Sequence, residues 1–271
     1  MNKYHVLDFN GTIYEPRDEG PTYKAIAHAV KDEYMPGFKP RFWGNPSKLI
    51  SLLGAKKKLE AIYERIKATS MYDIRREQLT REIYSIFNRE VIDGISPGII
   101  HIAVEDFAET AAEKVDERIL EPIRENVANV MAGILSVAWK ETVECILGES
   151  GYLGLFNDMN IVGDTLKINQ ETNKAKGFDL RTYGIKAEFL EDWFFKERRF
   201  KPAKTVYWGD GPDDEQCFDL VTSEGGVAAL PLMLVESGDQ ADRAFVEDIA
   251  NRFNAFVPEN AKDLSEFIKK S

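Results

Sequence analysis

The chain has 271 residues, 44% of them apolar and 30% charged, with 35 Lys and Arg against 46 Asp and Glu, a formal charge of −11. That length supports a large core, with roughly 75% of the extended-chain surface buried on folding. The acidic balance argues against nucleic acid as a partner, which needs a basic surplus to displace counterions, but it leaves room for a small phosphorylated substrate, because a metal or a few local cations can dominate a cleft.

Residues 4–9 read as a short buried strand that ends at Asn10-Gly11, a pair suited to a sharp turn. Residues 15–22, with Pro16, Gly20 and Pro21, read as a linker. From Tyr23 to about Ile119 apolar residues recur at helical spacing, with breakers at Pro36-Gly37, Gly44–Pro46 and Gly94–Gly98. Ile102 to Ile119 is expected to form one long helix, and Pro122 to open another over about 121–129. Thereafter strands alternate with helices. Strands are predicted at 131–136, 161–162, 165–168, 204–208, 225–230 and 254–257, and helices at 139–147 and 186–195. This alternation implies a doubly wound parallel sheet interrupted by a helical insert of about 100 residues.

No apolar run of 18 residues is present, so no membrane partner is expected. Cys145 and Cys217 fit no zinc spacing. With no leader pattern at the N-terminus, they read as reduced thiols of a cytoplasmic protein. The oligomeric state is not legible.

In open α/β sheets reactive groups collect at the carboxyl ends of strands. Asp8, Ser136, Lys186, Asp210 and Asp214 all fall at or near such ends. A carboxylate can attack phosphorus. Mg²⁺ takes a few carboxylates together with phosphate oxygens and water. A lysine and a hydroxyl can hold the transferring group. Each feature alone has a plain structural explanation as a cap, turn or solvated residue. Their ordered recurrence is more specific.

Asp8-Phe9-Asn10-Gly11-Thr12 resembles the first motif of the haloacid dehalogenase (HAD) superfamily of phosphohydrolases, Asp-x-Asp-Gly-Thr. Ser136, Gly184-Ile185-Lys186-Ala187 and Gly209-Asp210-Gly211-Pro212-Asp213-Asp214 resemble its second, third and fourth motifs. The layout is most similar to the phosphoserine phosphatase branch. The resemblance implies an α/β Rossmann-like core over 1–16 and 119–271, with an all-helical C1 cap over 17–118. It also implies a magnesium-dependent phosphatase with Asp8 as nucleophile and Ser136 and Lys186 gripping the phosphoryl group. Asp8, the backbone carbonyl of Asn10, Asp210 and Asp214 would hold Mg²⁺, with Asp213 the lesser candidate. Aromatic residues of the insert, Tyr34, Phe38, Phe42 and Trp43, would line a substrate pocket or fill the insert's own core.

Two positions depart from the pattern. Asn10 stands where the phosphatases carry an acid–base aspartate, and an amide has no useful pKa for proton transfer. A good leaving group, a binding-only or regulatory relative, and an engineered Asp-to-Asn trap would each account for it. Arg17 stands where the phosphoserine branch carries a substrate-reading glutamate. It suits an anionic substrate portion, or a solvated linker.

Overall fold

The computed structural model describes residues 3–17, 20–34, 46–69, 72–179, 182 and 184–270, with the side chains of 32–34, 46–50, 67, 74 and 77 set aside. Phe38, Phe42, Trp43 and the side chain of Tyr34 fall outside this description. In chain order the main elements begin with β1 (Lys3–Leu7), α1 (Gly20–Tyr34), α2 (Pro46–Lys67) and α3 (Ile74–Ile86). They continue through α4 (Pro97–Ala111), α5 (Glu117–Glu125), β2 (Val130–Trp139), α6 (Lys140–Glu149), β3 (Phe156–Asn169) and β4 (Lys174–Asp179). The last are α7 (Lys186–Phe189), β5 (Thr205–Trp208), α8 (Glu215–Ser223), β6 (Val227–Ala229), α9 (Leu232–Glu236), α10 (Gln240–Phe253) and α11 (Ala261–Lys270).

The chain divides into two compact units: Met1–Glu19, Glu109–Asp164 and Leu180–Ser271 in the first, Gly20–Ala108 and Thr165–Asp179 in the second. In the first unit, β3-β2-β1-β5-β6 run parallel in that order. The chain crosses from β1 to β2 and on to β3 on one side, then returns to β5 and β6 on the other, so the strand order reverses at β1. A crevice opens outside the carboxyl ends of strands at such a point. β1 is paired on both edges and buried from Tyr4 to Leu7, which is why it lacks the polar–apolar alternation of a half-exposed strand. Its one polar core member, His5, accepts a 3.1 Å hydrogen bond at Nδ1 from the Trp208 indole. Burial, with some help from Lys3, pulls its pKa down to about 3, so it sits in the core as neutral imidazole.

The second unit has its own core. Tyr23 packs on Phe87 with ring centroids 4.4 Å apart, and Phe87 stacks on Phe178 at 6.3 Å. The Asn88 amide bridges to the β4 backbone, accepting from Phe178 N at 2.9 Å and donating to its carbonyl at 3.3 Å. Gly177, at φ +126°, allows that approach, since a Cβ there would meet Asn88 at 2.9 Å.

Several predicted elements change. The expected long helix over 102–119 breaks after Lys114. Val115 turns extended and bridges Tyr14, and Asp116 caps α5 by accepting from Arg118 N at 3.0 Å. α5 therefore starts before Pro122, which lies inside the helix instead of opening it. The linker over 15–22 is shorter than expected, because α1 begins at Gly20. The two short strands near 161–168 are one strand, β3, whose second half pairs with β4, a strand absent from the sequence reading. Thr165–Asp179 thus joins the second unit, where the sequence boundaries had placed it in the core. The strand over 254–257 is a single bridge from Phe256 to Ala229.

Candidate active site

Register places the site. Leu7, the last residue of β1, is level with Ile134 of β2 and with Trp208 of β5. Asp8 follows Leu7 directly, Ser136 lies two past Ile134, and Asp210 two past Trp208. Asp8 and Asp210 thus lie just past the ends of β1 and β5, while Ser136 lies within β2, which runs on to Trp139 instead of ending at the serine as the sequence suggested. Asp8 N donates to the Trp208 carbonyl at 2.9 Å, which holds the end of β1 against β5.

After Asp8 the chain coils tightly. Ile13 N and Tyr14 N both donate to the Phe9 carbonyl at 3.0 Å, and Gly11 N donates to the Tyr14 carbonyl at 2.7 Å. Gly11 has φ +73°, and a Cβ there would lie 2.1 Å from Asp210 Oδ2. Glycine is required twice over, by the backbone and by the approach of the second acidic loop. The turn buries Asn10 and leaves the Thr12 hydroxyl buried without a hydrogen-bond partner.

Asp8, Asn10, Ser136, Lys186, Asp210 and Asp214 are all buried. Lys186, at the start of α7, places Nζ 3.1 Å from Asp8 Oδ2, 2.8 Å from Asp214 Oδ1 and 2.7 Å from Asp213 Oδ2. Burial alone would favour its neutral form, but Asp213, Asp214 and Asp8 outweigh that and hold its pKa well above the usual lysine value. Burial pushes Asp8 up to about 6, against the opposing pull of Lys186. Asp8 is therefore an anion above that pH. Its Oδ1 is buried and has no hydrogen-bond partner.

Asp214 is the best-satisfied group of the set. Oδ1 accepts from Lys186 and from the Tyr207 hydroxyl at 2.7 Å, and Oδ2 from the backbone N–H groups of Asp210 and Gly211 at 3.1 and 3.2 Å. Four donors fill its lone-pair sites. Its direct job is to fold the Gly209–Asp214 loop, and burial pushes its pKa up to about 7. Asp210 is also raised to about 7 by burial, with Arg17 opposing.

Arg17 is neither a solvated linker residue nor a group turned outward. Its Nε donates to Asp210 Oδ2 at 2.8 Å, Nη2 to the Asp210 carbonyl at 2.9 Å, and Nη1 to Asp242 Oδ1 at 2.7 Å. Asp242, in the first turn of α10, and Tyr207 were not singled out from the sequence. Asp242 is 225 positions from Arg17 with no motif to flag it, and Tyr207 reads as an ordinary inward residue of β5.

Oxygens of Asp8, Asp210 and Asp214 lie within 4.8 Å of one another. Among the described residues, five carboxylates here (Asp8, Asp210, Asp213, Asp214, Asp242) face two cations, Lys186 and Arg17. The surplus is negative. Together with the orphaned Asp8 Oδ1, it fits a hard divalent cation better than an empty pocket.

No protein-family model and no curated protein matches the chain. Solved structures do. Cytosolic 5′-nucleotidase IIIB bound to cytidine aligns at 13% identity and a TM-score of 0.62, over 99% of this chain and 86% of that one. A phosphoserine phosphohydrolase-like protein from Francisella tularensis subsp. tularensis SCHU S4 aligns at 14% identity and a TM-score of 0.56, over 99% and 100%. Identities this low speak to the fold alone.

Proposed function

We propose that this chain, which has the α/β fold of the HAD superfamily phosphatases, is a magnesium-dependent phosphohydrolase that acts through Asp8 on a small phosphorylated metabolite. The observation that carries the reading is Asp8 itself. It is a buried carboxylate at the switch point of the sheet, ion-paired to Lys186 through one oxygen and without a partner on the other. Buried polar atoms are rarely left so, and an unengaged anionic oxygen is what a nucleophile requires.

In this mechanism Asp8 attacks phosphorus and the P–O ester bond breaks, the departing oxygen taking its proton from solvent water; water then cleaves the acyl phosphate, which frees Asp8 and releases inorganic phosphate. Lys186 offsets the charge on Asp8 and meets the incoming phosphoryl oxygens. Ser136, whose Oγ is turned toward Ala138 N at 3.2 Å, stands ready to donate to a phosphoryl oxygen. Asp8, Asp210 and the backbone carbonyl of Asn10 would hold Mg²⁺, while Asp214, whose oxygens are already engaged, would shape the loop that carries Asp210. When bound, the ion supplies the positive charge that lets one anion approach another. Asn10 can neither protonate the leaving oxygen nor activate water, so the phosphorylated Asp8 should be long-lived.

The second unit is the counterpart of a cap, and the named activities of the structural neighbours make nucleoside monophosphates and phosphoserine natural first substrates to assay. Arg17 is engaged with Asp210 and Asp242 and serves the acidic loop instead of reading substrate. Asn10 also supports a second reading, a ligand-binding or regulatory protein on the same fold. A Mg²⁺-dependent screen of phosphate esters separates the two. Turnover by the native chain, lost in Asp8→Ala, supports the enzyme. No turnover by either the native chain or Asn10→Asp favours the binding protein.

A further inference from the structure

We propose that Arg17 and Asp242 form an internal counter-charge pair that sets how tightly Asp210 holds its divalent cation. The inference rests on the metal site proposed above and adds two residues to it. Arg17 meets Asp210 with two of its N–H groups, one on the carboxylate and one on the main-chain carbonyl, so it fixes both the side chain and the loop that carries it. The third contact passes to Asp242. Planar, forked donation of this kind is what guanidinium offers and an ammonium does not.

Asp242 is placed by α10. Asp239 caps that helix, accepting from Ala241 N at 2.7 Å and Asp242 N at 3.4 Å, and Asp242 lies in the first turn. A helix N-terminus favours a carboxylate there. Asp242 is buried, whereas Arg17 keeps 26% of its side-chain surface exposed.

The consequence is a matter of sign. Arg17 puts a positive charge beside a carboxylate that is to bind a dication, and so opposes binding. Asp242 cancels that charge. Removing Arg17 leaves two bare carboxylates near the ion and should tighten the site. Removing the Asp242 charge leaves Arg17 uncompensated and should loosen it. If the two residues only propped Asp210 in place, both losses would loosen it. Opposite signs are thus the signature of charge tuning. Charges several ångströms from a divalent ion act through partly desolvated protein, so a change of roughly tenfold in each direction is expected.

The test is calorimetric titration of the full chain with MgCl₂, alongside Arg17→Met, Asp242→Asn, the double variant and Asp210→Asn, each checked for a native melting transition. Expected are a lower Kd for Arg17→Met, a higher Kd for Asp242→Asn, a double variant near the native chain, and loss of binding in Asp210→Asn. Binding lost in Asp210→Asn with Kd raised in both single variants overturns the tuning and leaves the metal site standing. A native chain that takes up no Mg²⁺, or Mg²⁺ uptake unaffected by Asp210→Asn, overturns the metal site and the tuning with it. If Arg17→Met fails to fold, Arg17→Gln, which keeps side-chain donors and loses the charge, takes its place: a lower Kd is expected, and an unchanged or raised Kd overturns the proposal.

Discussion

In the proposed reaction Asp8 and Asn10 stand in contrast. Asp8 is held ready by Lys186, with one oxygen unengaged. Asn10, two residues on, lacks the proton traffic the reaction needs. Converting Asn10 to Asp should raise kcat by about 10²–10⁴-fold, read in a steady-state phosphate-release assay with Mg²⁺. Tyr207 offers a second prediction at this scale. Its hydroxyl is one of two donors to Asp214 Oδ1, both buried. Tyr207→Phe should lower stability by about 1–3 kcal/mol in urea unfolding, because Asp214 is left short of a donor. At the residue level, much of the site was legible in the sequence. Asp8, Asp210 and Asp214 stand out because they follow short apolar parallel strands, whereas Ser136, inside β2, and Lys186, at the start of α7, stand out by motif order. Arg17, Asp242 and Tyr207 were visible only as residue types, since their partners come from remote parts of the chain. Asp214 changed in meaning: the sequence marks it as a ligand, and the structure shows its oxygens filled by Lys186, Tyr207 and the loop's own amides.

At the scale of elements, the turn after β1 and the loop after β5 are built to touch. Gly11 marks the contact. Gly11→Ala strains a backbone at φ +73° and drives a methyl into Asp210. It should destabilise the fold by about 1–3 kcal/mol and weaken Mg²⁺ binding as well, measured by thermal melting with and without Mg²⁺. A variant that melts like the native chain and binds Mg²⁺ equally would show that the loops do not meet. The sheet strands were legible because buried parallel strands are short apolar runs. Helix ends were less so. The break at Val115-Asp116 depends on a bridge to Tyr14 and a side-chain cap, and apolar periodicity runs straight through it. β4 was missed because Lys174, Lys176 and Asp179 dilute its pattern. What fixes it is the pairing with β3 and the Asn88 amide on Phe178.

For the whole molecule, the buried carboxylates link stability to pH and, on the proposed function, to metal. Asp8, Asp210 and Asp214 have folded pKa values of about 6, 7 and 7, all above the ordinary carboxylate range. A raised folded pKa means that the native state binds protons more tightly than the unfolded chain. The stabilising contribution is complete below the unfolded pKa and is lost as pH rises through the folded values. Without metal, the protein should therefore melt lower at pH 8 than at pH 6.5. His5 acts in the opposite direction, since a neutral buried imidazole penalises folding as pH falls below its usual value of about 6.5, so the comparison belongs above that pH. Mg²⁺ competes with the same protons. Its stabilising shift should be larger at pH 8 than at pH 6, read from melting curves at fixed Mg²⁺. Equal shifts at the two pH values would place the ion away from these groups.

The central claim is covalent: Asp8 takes the phosphoryl group. The direct measurement is acid quench of the native chain during turnover of a labelled phosphate ester with Mg²⁺, followed by mapping of the labelled peptide. The label should appear on Asp8, be absent in Asp8→Ala, and decay faster in Asn10→Asp, where an acid–base group is restored. Turnover that leaves no label on Asp8, or that persists undiminished in Asp8→Ala, would contradict the account.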